Sequence, residues 1–423
     1  MDYNIKVLDS PMGYGKTTSL INMMNNKQDR AYIFITPFLT EVQRIKNSCP
    51  TLNFKEPKTI NGSKLNGLKK LITNGDNIVS THALFNRADK ELIDLLNMSG
   101  YTLILDEVAN VVDKADITKD DINLVISQQL VTVEDSGLVR WNNEKYKGRF
   151  SDIMQYCYNE SIYYMNETFV VWTLPVTIFE SFKEVWISTY QFDWQIQKYY
   201  YDFFGVEYEY YHIKLNEDGT REMVKTEGSF SYEKDFIANV KNLLHICDID
   251  KLNSIGDPIK TKKNTYSNTA LSKTWYDELE KKNKRVSGQF NKISNNIHNY
   301  FQNICHAKSS DVLWTTFKEY EPDLKGKGYA KAFIPMNSRA TNDYGDRHYM
   351  AYCCNRFMMP WQVQFFAQRG VEVNQDLWAL SEMLQWIWRS AIRNGEEVYI
   401  YIPSNRMREL LIKWMNEELY KFE

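Results

Sequence analysis

An apolar strand, Ile5 to Leu8, runs straight into Ser10-Pro-Met-Gly-Tyr-Gly-Lys-Thr-Thr18, and a helical stretch to Asn25 begins at once behind it. No other part of the chain restricts the fold so strongly. A glycine-rich loop between strand and helix closes backbone N–H groups on phosphate, with the helix N-terminus behind them. Gly13 and Gly15 permit the tight backbone this needs. Lys16 supplies a point charge for the β- and γ-phosphates, and Thr17 a hydroxyl for Mg²⁺. Ser10, Gly13, Tyr14, Gly15, Lys16, Thr17 and Thr18 are therefore the expected nucleotide-binding residues, with ATP and Mg²⁺ as cofactors. Ser10 stands where the pattern usually has glycine.

The first third of the chain alternates short apolar runs with helical stretches. Strands are expected at residues 5–8, 31–35, 77–80, 102–105 and 169–172, and helices at 18–25, 38–48 and 83–96. Short, wholly apolar strands alternating with helices fit a parallel sheet covered on both faces. Ligands of such sheets lie at the carboxyl ends of the strands. Leu103-Ile-Leu-Asp-Glu-Val-Ala109 places two acids at one of those ends. Asp106 suits a magnesium ligand beside Thr17. Glu107 can orient or deprotonate an attacking water. Lys16, Asp106 and Glu107 are thus the catalytic candidates of this part of the chain.

Composition limits the alternatives. With 423 residues, 43% of them apolar, the chain can bury two or three cores. Its apolar runs fall far short of a membrane span, and MDYNIKVLDS does not read as a signal peptide, so a soluble protein is expected. Six cysteines without a CxxC spacing point to reduced thiols in a cytoplasm. A formal charge of −3 excludes a uniformly basic nucleic-acid binder but not a local basic face. Residues 251–300 hold ten Lys/Arg against four Asp/Glu, a net of +6, with Trp275, Tyr276, Phe290 and Tyr300 interleaved. That segment reads either as a grip on a phosphate backbone or as a solvated insertion with ordinary core aromatics.

Further along, residues 185–190 read as a strand and 194–204 as a helix, the first βα unit of a second lobe. Residues 208–215 read as another strand, and Asn216 to Thr220 as a turn. Asp311 to Thr316 is an apolar strand, and Asn337-Ser-Arg-Ala-Thr-Asn342 a polar turn beyond it. In Leu384-Gln-Trp-Ile-Trp-Arg-Ser-Ala-Ile-Arg-Asn-Gly395, Gln385, Arg389 and Arg393 are spaced by four and are expected on one helix face. A strand at 398–401 and a helix at 404–415 come after it.

Taken as an ordered set, these segments resemble the superfamily 2 helicases of the DEAD/DEAH-like type. Ser10 to Thr17 looks like motif I, Thr36-Pro37 like motif Ia, and Ser80-Thr81-His82 like the next nucleic-acid-contacting motif. Asp106 to Ala109 looks like motif II, with Ala109 where the family often has His or Asp. Thr173 lies where motif III couples the two sites. Arg339, Thr341 and Asn342 match motif V. Gln385, Arg389 and Arg393 resemble motif VI, with Trp388 in place of its glycine and the second arginine one residue late. The QWIWRSAIRNG segment, with SRATND ahead of it, looks most like helicases encoded by bacteriophages.

The resemblance implies two RecA-like lobes with parallel sheets flanked by helices, residues 1–184 and 185–423, and a nucleotide in the cleft between them. A basic insertion at about 216–308 would lie in or before the second lobe. It implies an ATP-dependent DNA helicase or translocase of phage replication, recombination or repair, in the cytoplasm of a bacterial host. Thr36, Pro37, Ser80, Thr81, His82, Arg339, Thr341 and Asn342 would contact nucleic acid, and Gln385, Arg389 and Arg393 would complete the catalytic set. DNA is the expected partner, with replication or recombination proteins as further candidates, and no membrane. The competing readings are a nucleic-acid-stimulated ATPase without unwinding, a single-lobe NTPase or nucleotide kinase, and a binding protein switched by ATP.

Overall fold

The computed structural model describes residues 4–37, 39–228, 233–253, 255, 268–281, 288–336 and 343–421. The chain forms two compact units. The first comprises Met1–Ser10, Tyr14–Ser229 and Met359–Val373; the second comprises Pro11–Gly13, Phe230–Met358 and Asn374–Glu423.

The first unit is built on strands β1 (Ile5–Asp9), β2 (Tyr32–Thr36), β3 (Ile78–Thr81) and β4 (Thr102–Asp106). Every residue of β2 is buried, and so is all of β4 except its terminal Asp106. That pattern belongs to strands covered on both faces. The helices between them begin and end on local signals. Asp89 accepts from Leu92 N–H to open the helix Lys90–Ser99, which Gly100 closes in the left-handed conformation.

A separate small subdomain comes after β4. It holds β5 (Val112–Lys114), β6 (Val131–Val133), β7 (Val139–Trp141), β8 (Ile162–Met165) and β9 (Phe169–Thr173). Strands β5, β9 and β8 form an antiparallel sheet, and β6 and β7 a hairpin. Ile122, Val125, Ile153 and Val170 belong to its own core. The run at 169–172 is therefore a strand, but not one of the parallel sheet.

The place expected for it is taken by β10 (Glu184–Thr189), buried at all six positions, which pairs in parallel with both β1 and β4. Strand β11 (Glu209–Leu215) adds to the other side of β1 in parallel, and β12 (Arg221–Thr226) closes that edge antiparallel. The seven strands run in the order β12–β11–β1–β10–β4–β2–β3. The chain thus turns from one side of β1 to the other, and β1 is the topological switch point where such sheets bind ligands.

These strands correct the expected division at 184/185. Residues 185–190 complete the first sheet, and the first unit runs on to Ser229. The expected insertion 216–308 is likewise split, since 216–228 belongs to the hairpin of the first unit. Residues 359–373 also return to the first unit. Their helix Pro360–Ala367 stacks Phe365 on Phe203 at 4.4 Å and sets Phe366 against Tyr199. An aromatic contact of that kind between distant segments has no local sequence signature.

The second unit holds β13 (Leu244–Ile246), β14 (Val312–Thr315), β15 (Tyr349–Tyr352) and β16 (Val398–Tyr401). They form a parallel sheet in the order β13–β16–β15–β14. Trp314, Tyr276, Phe301 and Tyr401 are fully buried in its core. Phe290 and Tyr300 are buried there too and Trp275 packs against it, so these aromatics of the basic segment, with Tyr276, serve the core. Asn374 caps the helix Gln375–Ile387, and Ser404 caps the helix Asn405–Met415. Arg406 is buried and saturated by Asp376, Asn355 and the backbone carbonyls of Arg356 and Gln375. Among the described residues, no helix is long and apolar enough to cross a membrane.

Candidate nucleotide site

The loop after β1 turns on Gly13 (φ +85°) and Gly15 (φ +84°), a region of backbone space that glycine enters without a Cβ penalty. Gly15 is the N-cap of the helix Lys16–Asn26, so the helix starts one residue after the second glycine. The N–H groups of its first turn, which have no acceptor one helical turn earlier within the helix, therefore belong to Lys16, Thr17 and Thr18. Lys16 Nζ donates to the Ser10 carbonyl at 2.6 Å.

Strand β4 delivers its acids to the same edge. Thr17 Oγ1 donates to Asp106 Oδ1 at 3.1 Å across 89 residues of sequence. Burial first, and the neighbouring Glu107 next, push the Asp106 carboxyl up to about 7, although the Thr17 hydroxyl acts the other way. Burial lowers the Lys16 ammonium, while Glu107, Asp9 and Asp106 hold its charge. Lys16, Thr17, Asp106 and Glu107 are therefore close neighbours at the ends of β1 and β4. Glu107 has φ +69°, a left-handed backbone that costs a non-glycine residue roughly 1–2 kcal/mol. Its N–H donates to the Ser188 carbonyl at the end of β10, and the Ala109 N–H donates to Gln197 Oε1. The turn after the two acids is thus fixed by β10 and by the helix Ile196–Phe204.

Residues without a motif of their own complete the neighbourhood. Asp9, 1% exposed, accepts from the backbone N–H groups of Gln191 and Phe192. Burial still drives its carboxyl up to about 7. His212 of β11 donates from Nδ1 to the Asp9 carbonyl at 2.7 Å and lies 3.2 Å from Ser10 Oγ. Ser10 Oγ also accepts the Ile213 N–H at 2.8 Å. The serine in place of glycine is therefore a bonded, fully buried side chain tying the loop to β11. The signal that could have found Asp9 was an acid closing an apolar strand directly ahead of the loop. For His212 there was none, because β11 reaches β1 only through tertiary pairing.

The residues read as nucleic-acid contacts divide. Thr36 at the end of β2 is completely buried, so its side chain is not at the surface. Pro37, Thr81 and His82 are partly exposed, and Ser80 is buried at 8% exposure. All five stand at the carboxyl ends of β2 and β3, on the edge that carries Asp106. His82 Nε2 donates to the Asp106 carbonyl at 3.2 Å, joining that segment directly to the acid pair. Arg339, Thr341 and Asn342 lie outside the described residues. Thr173 ends β9 in the small antiparallel sheet, not in the parallel sheet.

The expected arginine face is corrected. The helix ends at Ile387, Ser390 is extended, and Ala391–Asn394 form a 3-10 turn. Gln385 is on the helix and half-buried, Arg389 lies beyond its end and is buried, and Arg393 is on the 3-10 turn and exposed. Ser390 breaks the four-residue repeat, because an extended residue rotates the residues after it off the helical period.

The donor set fits a magnesium nucleotide. Thr17 and Asp106 are adjacent, and Mg²⁺ takes one or two protein ligands and fills its octahedron with water and phosphate oxygens. Among the described residues no group of three or more His, Cys, Asp or Glu could hold a metal on its own.

Comparison with known proteins adds a family. Residues 238–415 match the YonV C-terminal Rossmann-like domain, and residues 112–172 match the YonV middle domain. The second match coincides with the small subdomain between β4 and β10. The chain is 40% identical over 427 residues to the "SPbeta prophage-derived uncharacterized protein YonV" of Bacillus subtilis (strain 168), covering 98% of this chain and 99% of that one. Among solved structures, "Structure of S. tokodaii Xpd4" is similar at 12% identity and a TM-score of 0.48, covering 97% of this chain and 94% of that one. "XPD_Helicase" is similar at 11% identity and a TM-score of 0.43, covering 99% and 95%. "Crystal Structure of DUF1998 helicase MrfA bound to DNA and AMPPNP" is similar at 10% identity and a TM-score of 0.31, covering 99% of this chain and 48% of that one. The match of residues 112–172 and 238–415 to the two YonV domain families, and 40% identity over nearly the whole of both chains, lead to one assignment: the chain belongs to the YonV family.

Proposed function

We propose that this chain is an ATP-dependent DNA helicase or translocase that hydrolyses magnesium-ATP at the loop Ser10–Thr18. The observation that carries the reading is the meeting of Lys16, Thr17, Asp106 and Glu107 at the carboxyl ends of β1 and β4. Bound Mg²⁺ would be held by Thr17 and Asp106, and it would supply charge neutralisation at the β- and γ-phosphates. Lys16 would hold the phosphates through its ammonium. Glu107 would orient the attacking water and take its proton. The cluster offers three carboxyl groups against one ammonium, which favours a bound cation. Pro37, Ser80, Thr81 and His82 stand on the same sheet edge and are proposed to meet the nucleic acid. The His82 to Asp106 hydrogen bond offers a short route by which strand contact and hydrolysis could be coupled.

A prophage-derived relative supports a setting in phage DNA replication, recombination or repair, in the cytoplasm of a bacterial host. A protein that only binds ATP as a switch has no use for Glu107, which disfavours that reading. ATPase rates with single-stranded DNA, duplex, fork and RNA, and then strand displacement on the best activator, test the proposal. Stimulation by DNA with displacement is expected. Stimulation without displacement would reduce the function to a DNA-stimulated ATPase, and absence of ATP turnover on every substrate would refute the proposal.

A further inference from the structure

The edge hairpin β11–β12 touches the phosphate loop at both of its ends. At the start, Ser10 Oγ takes the Ile213 N–H, and His212 bonds the carbonyl of Asp9. At the far end, Arg221, the first residue of β12, lies across Gly15. A Cβ built on Gly15 would stand 2.9 Å from Arg221 Cδ and from Nε, and 3.3 Å from Cζ. Any side chain at position 15 would have to displace that guanidinium, so glycine is needed there for a close approach as well as for φ. Arg221 is exposed, and no ion pair ties it to a carboxylate among the described residues. Its neighbour across the hairpin, Leu215, has an aliphatic side chain with no acceptor. The three carboxyl groups of the cluster belong to Asp9, Asp106 and Glu107, at the end of β1 and of β4. The guanidinium lies beside Gly15, the residue that opens the helix.

We propose that Arg221 is a second cationic contact for the phosphates of the nucleotide held by Ser10–Thr18, supplied by the hairpin of the same unit. The inference rests on the phosphate-loop reading above. A planar guanidinium over the loop backbone can give two parallel N–H donors to one phosphate, which a lysine ammonium cannot. Its recruitment stems from topology. β11 joins the sheet on the side of β1 away from β10, and the turn Asn216–Thr220 brings the start of β12 back toward the loop. The Ser10 bond fixes the register of the hairpin against the loop, so Arg221 is held by the same strand pairing that seats the serine.

The test is titration of the full-length protein with a non-hydrolysable magnesium-ATP analogue and, separately, with adenosine, read by calorimetry. The variants are Arg221→Ala, Arg221→Lys and Lys16→Ala. Arg221→Ala should weaken the analogue roughly tenfold to a hundredfold, the range for a charge-assisted hydrogen bond. It should leave adenosine affinity and the melting temperature of the nucleotide-free protein unchanged, and Arg221→Lys should restore part of the loss. A purely structural role would move the melting temperature and both ligands together, and that result would overturn the inference. Wild-type affinity in Arg221→Ala alongside loss in Lys16→Ala would also overturn it while leaving the phosphate loop intact. Wild-type affinity in Lys16→Ala as well would remove the phosphate-loop reading and the inference with it.

Discussion

Replacing Ser10 by alanine isolates the bond that seats the loop against the hairpin. Ser10 is 0% exposed and Ile213 2% exposed, so water cannot replace the hydroxyl once it is gone. The β1–β11 ladder ends with the pair Leu8 and Tyr211, and the Ile213 N–H has Ser10 Oγ as its acceptor beyond that point. Loss of the oxygen leaves a buried backbone donor unpaired, which costs about 1–3 kcal/mol. In a domain of 150–250 residues each kcal/mol moves the midpoint by roughly 2–4 °C, so Ser10→Ala should melt roughly 2–12 °C lower. Ser10→Gly, the residue more usual at this place, should be worse by about 0.5–1 kcal/mol from added chain entropy. Scanning calorimetry measures the midpoint, and amide hydrogen exchange at Ile213 reports the donor itself. If the midpoint and the Ile213 exchange rate both match wild type, the hydroxyl does not hold the hairpin and the role given to Ser10 is wrong.

Three other outcomes are expected. Asp106 has an ordinary pKa near 4 when unfolded and about 7 when folded without metal, so the folded state binds the extra proton between those values. Its contribution to stability is therefore present at low pH and lost as pH rises through 7, and metal-free Asp106→Asn should be more stable than wild type at pH 8, the gap closing toward pH 4. A gap that widens on acidification in denaturation curves would reverse the sign and defeat the argument. Glu107→Gln should keep nucleotide affinity and lose turnover, and a wild-type rate would assign water activation to another group. Arg389→Ala should lower the melting temperature because the side chain is buried, whereas Arg393→Ala, exposed, should not. Equal melting of the two variants would contradict the break after Ile387, and nucleic-acid-stimulated turnover in each tests their expected catalytic part.

What the chain settled by itself was local. The phosphate loop, the acid pair and strands β1 to β4 are each written in a few consecutive residues, because turn geometry, helix start and strand burial are decided over that range. The alternation of apolar runs with helices was enough for a parallel α/β architecture. Tertiary structure decided which strands share a sheet. Phe169–Thr173 and Glu184–Thr189 read alike as short apolar runs, yet β9 closes a separate antiparallel sheet and β10 sits between β1 and β4. Burial is a property of a strand, whereas partnership depends on register and packing against residues a hundred positions away. For the same reason the lobe boundary, the return of 359–373 and the kink beyond Ile387 were not legible. His212 and Arg221 reach the phosphate loop through the pairing of β11 with β1, and no spacing in the sequence encodes that distance.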